Sequence, residues 1–346
     1  MSGKIQIINP LNCPNWDELL VHSQNYSFFH SSAWARVLCE SYDYKPLYFV
    51  SLENGRFSAL IPLMEVNSFL TGKRGVSLPF TDYCQPVVSA KINFQEIVDE
   101  TIKYGKKAGW KYIEWRGGES NFQATTPSSF YYVHTLDLIQ NEEEILSGFR
   151  NSTKRNIQKA IRNGVDISIN NSLESVKAFY RLHCITRKHH GLPPQPYHFL
   201  KKVYEHIISK QKGLVVLASY QKSAIAGAIC FSFGKKAIYK YGASDKRYQH
   251  LRPSNLVMWE TVKWYIQNGF KSFSLGRTEM EHIGLLQYKK GWGVKEQIIN
   301  YYVYDMKKEI MVSRGPRYDT LYKMLLGKLP FPLLNFVGTL LYKHAG

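Results

Sequence analysis

The sequence predicts an α/β protein of α+β type: two domains built alike, each a mixed β-sheet flanked by helices, followed by a basic, hydrophobic C-terminal tail. Two observations carry this. An internal repeat aligns "ETIKYGKKAGWK" (residues 100–111) with "ETVKWYIQNGFK" (260–271), with Glu, Thr, Lys, Gly and Lys in register. Around each copy the same order recurs, helix, hairpin, helix, strand, strand.

Each repeat copy reads as the end of an amphipathic helix stopped by a C′ glycine, Gly109 or Gly269, with an aromatic residue opening the strand that follows, "WKYIEWR" or "FKSFSLGR". Upstream of each lie two strand-like runs joined by a polar turn, "LYFVSLENGRFSALIPLMEV" and "LVVLASYQKSAIAGAICFSF". Downstream of each lies a strand ending in Asp and an apolar residue, "FYYVHTLDL" and "IINYYVYDM". Between the halves, "NSTKRNIQKAIRNGV" (151–165) predicts a helix capped by Ser152 or Thr153 and ended by Gly164, with Ile157, Ala160 and Ile161 as its apolar stripe. These signals divide the chain into domains at 1–145 and 146–312 and a tail at 313–346.

Of the 346 residues, 44% are hydrophobic and 21% charged, enough to build two cores and unlike a disordered chain. No apolar run approaches the roughly 20 residues that span a bilayer. The first residues lack the order of a signal peptide, so a cytoplasmic location is expected. Five scattered cysteines without a C-x-x-C pair predict reduced thiols and no structural metal. Charge is uneven. Residues 1–150 hold 13 Lys+Arg against 16 Asp+Glu, a net of −3, while the remainder hold 32 against 11, a net of +21. An anionic partner is therefore expected at the second half: a phosphorylated substrate, RNA or an acidic membrane. Arg155, Lys159 and Arg162, at i, i+4 and i+7 of the junction helix, share one face and are candidates for holding phosphate; a solvated basic face is the alternative.

The duplicated plan, the "RNIQKAIRNGV" helix, "YKYGAS" (239–244), "ETVKWYIQNGFKSFSLG" and "YKKGWG" together resemble the Fem family, from about residue 30 to 306 and most strongly in the second half. These FemAB-like proteins are peptidoglycan bridge-forming aminoacyltransferases with two GNAT-like domains. The resemblance implies two tandem GNAT-like domains and an N-acyltransferase that passes an aminoacyl or acyl group to an amine of a peptidoglycan or lipid-linked polysaccharide precursor. It implies no tightly bound cofactor, with aminoacyl-tRNA or acyl-CoA as co-substrate. Its partners would be an anionic cell-envelope precursor and tRNA, with no DNA. The alternatives are an acyl-CoA-dependent GNAT N-acetyltransferase acting on a sugar or small amine, and a non-catalytic RNA- or membrane-binding protein on the same scaffold.

The family's Phe-Lys pair falls on Tyr288 and Lys289. The resemblance places Lys289 near the developing oxyanion and the ring of Tyr288 against a terminal base of the tRNA. Read from its own sequence, Lys289 lies on an exposed, glycine-bounded loop after a strand end, where a point charge can act; a solvated lysine in a basic turn is the alternative, and Lys290 is solvated. For the proton, Glu279, Glu281 and His282 in "GRTEMEHIG" are candidate bases, with a surface cluster as the alternative; Arg277 in the same segment is a candidate substrate contact. Where GNAT enzymes that bind CoA place a glycine-rich pyrophosphate loop, this chain has "QHLRPSN": Pro253 lacks an N–H, and Arg252 supplies a cation instead. Tyr239 and Tyr241, two apart on a strand, are expected on one face, either as substrate contacts or as packing.

The tail carries Arg314, Arg317, Lys323, Lys328 and Lys343 against a single acid, Asp319. Its "LLNFVGTLLY" is too short to span a bilayer but suits a bilayer interface, so an acidic membrane surface joins the expected partners and a peripheral position at the inner face of the cell membrane is added to the expected location; a C-terminal helix docked onto the second domain is the alternative.

Overall fold

A computed structural model describes residues 4–23, 25–89, 94–118, 120–122, 125–313 and 328–345. The first stretch runs β1 (Gln6–Ile8), α1 (Trp16–Val21), α2 (Ser32–Tyr42), β2 (Lys45–Glu53), β3 (Arg56–Val66), β4 (Arg74–Val76), β5 (Val87–Val88), α3 (Phe94–Lys107) and β6 (Tyr112–Arg116). Then come β7 (Ser129–Asp137), α4 (Glu142–Ser147), α5 (Asn151–Arg162), β8 (Asp166–Asn170), α6 (Leu173–His189) and α7 (Tyr197–Val203). The chain continues through β9 (Gly213–Tyr220), β10 (Ser223–Phe233), β11 (Lys236–Ser244), α8 (Pro253–Gln267), β12 (Ser272–Thr278), α9 (Ile283–Lys290), β13 (Lys295–Asp305), β14 (Ile310–Met311) and α10 (Phe331–Tyr342). The tail residues Arg314, Arg317, Asp319 and Lys323 lie outside the described residues.

The repeat is reproduced bond for bond. After α3, Gly109 N–H donates to Lys106 and Trp110 N–H to Gly105; after α8, Gly269 N–H donates to Ile266 and Phe270 N–H to Tyr265. Both glycines are left-handed, at φ 71° and 68°, which is why each helix ends where it does. The hairpins also match. β2 turns into β3 through Asn54 and Gly55, and β9 into β10 through Gln221 and Lys222, all four at positive φ, as a tight two-residue hairpin requires.

In each unit an antiparallel hairpin leads to a third strand, a helix, and a fourth strand parallel to the third: β2-β3-β4-α3-β6 and β9-β10-β11-α8-β12. The first core gathers Phe49, Ile61, Ile97, Trp110, Trp115 and Tyr302; the second gathers Val216, Ala228, Val257, Tyr265, Phe273 and Trp292.

The fifth strand departs from the expected domains. β6 pairs antiparallel with β13, and β12 with residues 132–137 of β7. Each half of the chain thus supplies the closing strand of the other unit. The compact units accordingly do not follow cuts at 145 and 312: the described residues of Met1–Tyr131, Ile298–Arg317 and Leu341–Gly346 form one, and those of Tyr132–Gln297 and Tyr318–Leu340 the other. The two closing strands end alike, with Met306 N–H donating to Lys111 and Leu138 N–H to Lys271, both at 3.0 Å. Because both strands carry the same Asp-apolar ending, nothing local in the sequence assigns either one to its sheet.

In α5 the expected caps are displaced. The helix opens at Asn151, its N-cap Arg150 makes no side-chain cap bond, and Ser152 and Thr153 sit in the first turn. Gly164 ends it as expected, at φ 70°. Ile157 and Ala160 are buried, while Ile161 faces out. All five cysteines are free thiols. No helix among the described residues is long and apolar enough to cross a membrane.

Candidate active site

The site is built on a break in β12. Ser274 pairs with Thr135 and Arg277 with Val133, so Leu275 and Gly276 together oppose His134. This is a bulge, with Gly276 at φ 71° as the residue that permits it. A bulge turns backbone groups out of the ladder, and the carbonyls of Gly276 and Arg277 accept from Lys289 Nζ at 2.8 and 3.1 Å.

Lys289 is therefore not on an exposed loop. The segment after β12 coils into α9, Lys289 sits in its last turn, and its side chain is 6% exposed. A helix of eight residues with little amphipathic pattern looks like a turn in the sequence, which is why the burial of Lys289 has no local signal. Lys290 is not merely solvated either: its Nζ lies 3.1 Å from Glu296 Oε2, and it stands over the ring of Tyr132.

The second partner of Glu296 was not foreseen. His134, fully buried on β7, places Nε2 3.0 Å from Glu296 Oε2, while its Nδ1 is buried without a hydrogen-bond partner. Burial first, and then the charge of Lys289, hold this imidazole below the ordinary histidine value, against the pull of Glu296. The result is a buried cation and a neutral imidazole backed by a carboxylate. Chemically, the cation can stabilise an oxyanion and the imidazole can carry a proton. Residues 134 and 296 lie 162 positions apart, and only the strand exchange brings them together.

Tyr288 joins Lys289 to the start of α8: its hydroxyl donates to Ser254 O at 3.3 Å and its ring meets Trp292 edge-on, so it serves as packing rather than an open stacking platform. Burial pushes its phenol well up. Arg252, two residues before Ser254, is exposed and left-handed at φ 61°, followed by Pro253 at the first helical position. Glu279 pairs with His282 at 3.6 Å on the surface, and no contact among the described residues joins it to Lys289. Arg277 enters through its carbonyl.

Tyr239 and Tyr241 do not share a face. β11 slips by one residue against β10 at Ile229/Cys230, which reverses the alternation between them. Tyr239 packs on the core that holds Tyr265 and Trp292, while Tyr241 stands among His183, Phe199 and Phe231. Arg155, Lys159 and Arg162 do share the exposed face of α5, with no carboxylate partner among the described residues. They do not touch Lys289. What joins the two helices is Arg150, whose N–H donates to Gly291 O at 3.0 Å.

Residues 147–290, ending just past Lys289, match the acetyltransferase (GNAT) domain family. The chain is similar to the lipid II:glycine glycyltransferase of Staphylococcus haemolyticus, 32% identical over 75 residues, which cover 20% of this chain and 18% of that protein. It is also similar to the UDP-N-acetylmuramoylpentapeptide-lysine N(6)-alanyltransferase of Weissella viridescens, 20% identical over 163 residues, 47% of this chain and 48% of that one. The matches thus span less than half the length of these relatives. Among solved structures, the crystal structure of FemX superposes with a TM-score of 0.67 at 13% identity over 86% of this chain and 96% of its own, a likeness of fold.

Proposed function

We infer that this chain, a Fem-type protein carrying a GNAT acyltransferase domain, is an N-acyltransferase that passes an aminoacyl group from aminoacyl-tRNA to an amine of an anionic cell-envelope precursor. One observation carries the reading: an ammonium, Lys289, is seated on the two carbonyls that the β12 bulge turns out of the sheet. In the reaction a neutral amine attacks the ester carbonyl of the donor. The carbonyl oxygen becomes an oxyanion facing Lys289; the C–N bond forms, the C–O bond to the carrier breaks, and the amine's proton leaves as the carrier hydroxyl takes one up.

The choice of donor is supported by the start of α8. A pyrophosphate held by backbone amides needs a run of free N–H groups at a helix start, and here Pro253 removes one and the left-handed Arg252 lacks a glycine's open approach. The acceptor is supported by the net charge of +21 beyond residue 150 and by the cations of α5, which have no carboxylate partner among the described residues.

The test supplies the purified protein with a muramoyl-pentapeptide precursor, UDP-linked or lipid-linked, and either aminoacyl-tRNA or acyl-CoA. The expected product gains the mass of one amino-acid residue, only with aminoacyl-tRNA, and its formation is abolished by ribonuclease. Transfer from acyl-CoA alone would overturn the donor, and no transfer from either would overturn the function.

A further inference from the structure

Helix α10 packs the wrong way round for a helix that only closes a core. Its inward residues are Leu334 and Gly338; a Cβ at Gly338 would collide with the Pro194 carbonyl, so this face is held close through its smallest residue. Its large apolar residues point outward instead. Leu333, Phe336 and Leu340 are 52, 61 and 54% exposed at i, i+3 and i+7, one continuous face. Between Phe331 and Tyr342 there is no charged residue at all.

Cations stand at both ends. Lys188 Nζ lies 4.5 Å over the ring of Phe331, Lys328 is exposed just before the helix, and Lys343 follows it, in an exposed pair with Asp43. Contiguous apolar faces of this kind are costly in water and mark a docking surface.

We propose that α10 lies on the surface of a bilayer carrying anionic lipid, its Leu333, Phe336 and Leu340 face buried among the headgroups and acyl chains. A bilayer fits better than a protein groove. The exposed face offers apolar bulk without a single buried-type hydrogen-bonding group at its centre, and the flanking lysines complement acidic headgroups, as an interfacial helix requires. The net charge of +18 adds attraction at longer range. This surface stands on the helix itself and goes beyond the proposed reaction.

The test is co-sedimentation of the full chain with vesicles of phosphatidylcholine containing 30 to 40% phosphatidylglycerol, about the level at which such attraction becomes strong, compared with pure phosphatidylcholine. Wild type is expected to sediment with the anionic vesicles, at least roughly tenfold better than with neutral ones, and less at raised salt. The double variant Phe336→Asp/Leu340→Asp is expected to lose roughly tenfold or more in partitioning, with unchanged melting temperature and unchanged transfer to a soluble acceptor. Three results would overturn the proposal: no vesicle binding by wild type, binding unaffected by the double variant, or a wild-type dimer that the double variant turns into a monomer. A melting temperature lowered by many degrees in the double variant would also do so, since the face would then be packed on the protein. Vesicle binding is read without any acceptor, so it can fail or succeed apart from the transfer reaction.

Discussion

The fourth strands of the two units, β6 and β12, occupy the same place in the repeat, yet the candidate site is built on only one of them. β6 pairs without interruption, from Tyr112 with Asp305 to Arg116 with Tyr301. The repeat sets Arg116 against Gly276, and at that position β12 bulges. In the first unit the Arg116 guanidinium ties the strand to its surroundings, at Glu114 and at the carbonyls of Leu78 and Thr81. In the second, the glycine lets the backbone turn, and the carbonyls that would have stayed in the ladder hold Lys289. At the same position of the repeat, one copy has a bulge that seats a lysine and the other an arginine tied to its surroundings.

The largest expected effect is at Lys289. Lys289→Ala should lower kcat/KM by about 10²- to 10³-fold, the usual cost of removing an oxyanion donor. Because the ammonium is buried and bonded, the same change should also cost stability, roughly 1 to 3 kcal/mol for leaving two inward carbonyls without a donor. Transfer kinetics and a denaturant melt on one preparation read both; full activity would refute the assignment.

Next is the bulge itself. Gly276→Val places a β-branched residue at φ 71°, a strain of roughly 1 to 2 kcal/mol. If the strand regularises to escape it, Lys289 loses its seat, and a misplacement near 1 Å costs up to about 10²-fold in rate. The matched change in the other copy, Arg116→Ala, should destabilise and leave the rate alone. A rate loss in both would dissolve the contrast between the units.

Buried histidines give a third contrast. His183 on α6 has Nε2 buried without a partner, and burial, with Arg187 adding to it, pushes its pKa down to about 3. In the first unit the buried His30 instead has Gln85 O at 2.8 Å on one ring nitrogen and Ser27 on the other. A histidine whose folded value is lowered binds its proton more readily unfolded, so its stabilising contribution is full above the ordinary value near 6.5 and is lost as pH falls toward 3. The slope is about 1.4 kcal/mol per pH unit in that window. His183→Phe should flatten the stability profile of the second unit between about pH 6.5 and 4.5, leaving the smaller acid sensitivity that His134 contributes in the same direction. Urea melts at a series of pH values would show it, and an unchanged slope would count against the assignment.

The repeat, the hairpins and the helix ends were legible because they are local: a C′ glycine, a two-residue turn and an apolar stripe act within a few residues. The fifth strands were not, since "FYYVHTLDL" and "IINYYVYDM" satisfy either sheet equally and the choice is made by long-range pairing. That exchange hid the His134–Glu296 pair. The two bulges were hidden for a related reason. A slip of one residue leaves no mark on the alternation of side chains along a single strand, yet it separates Tyr239 from Tyr241 and turns the Gly276 carbonyl toward Lys289. Lys289 itself was placed by family resemblance; its burial came from α9, too short to announce itself.

The smallest effect tests how alike the copies are where they should be identical. Gly109→Ala and Gly269→Ala each put a Cβ on a left-handed C′ residue, at φ 71° and 68°. Nothing lies within 4 Å of the new atom at Gly109, and only Lys235 Nζ at 3.6 Å is near it at Gly269, so neither change produces a clash and backbone strain alone is measured. Each should cost roughly 1 kcal/mol. The two values should agree within a few tenths, because the same pair of closing bonds is at stake in each helix. If the two units melt separately, each variant should move only its own transition. Unequal costs would mean that the caps share geometry but not environment, which would confine the likeness of the two units to the backbone.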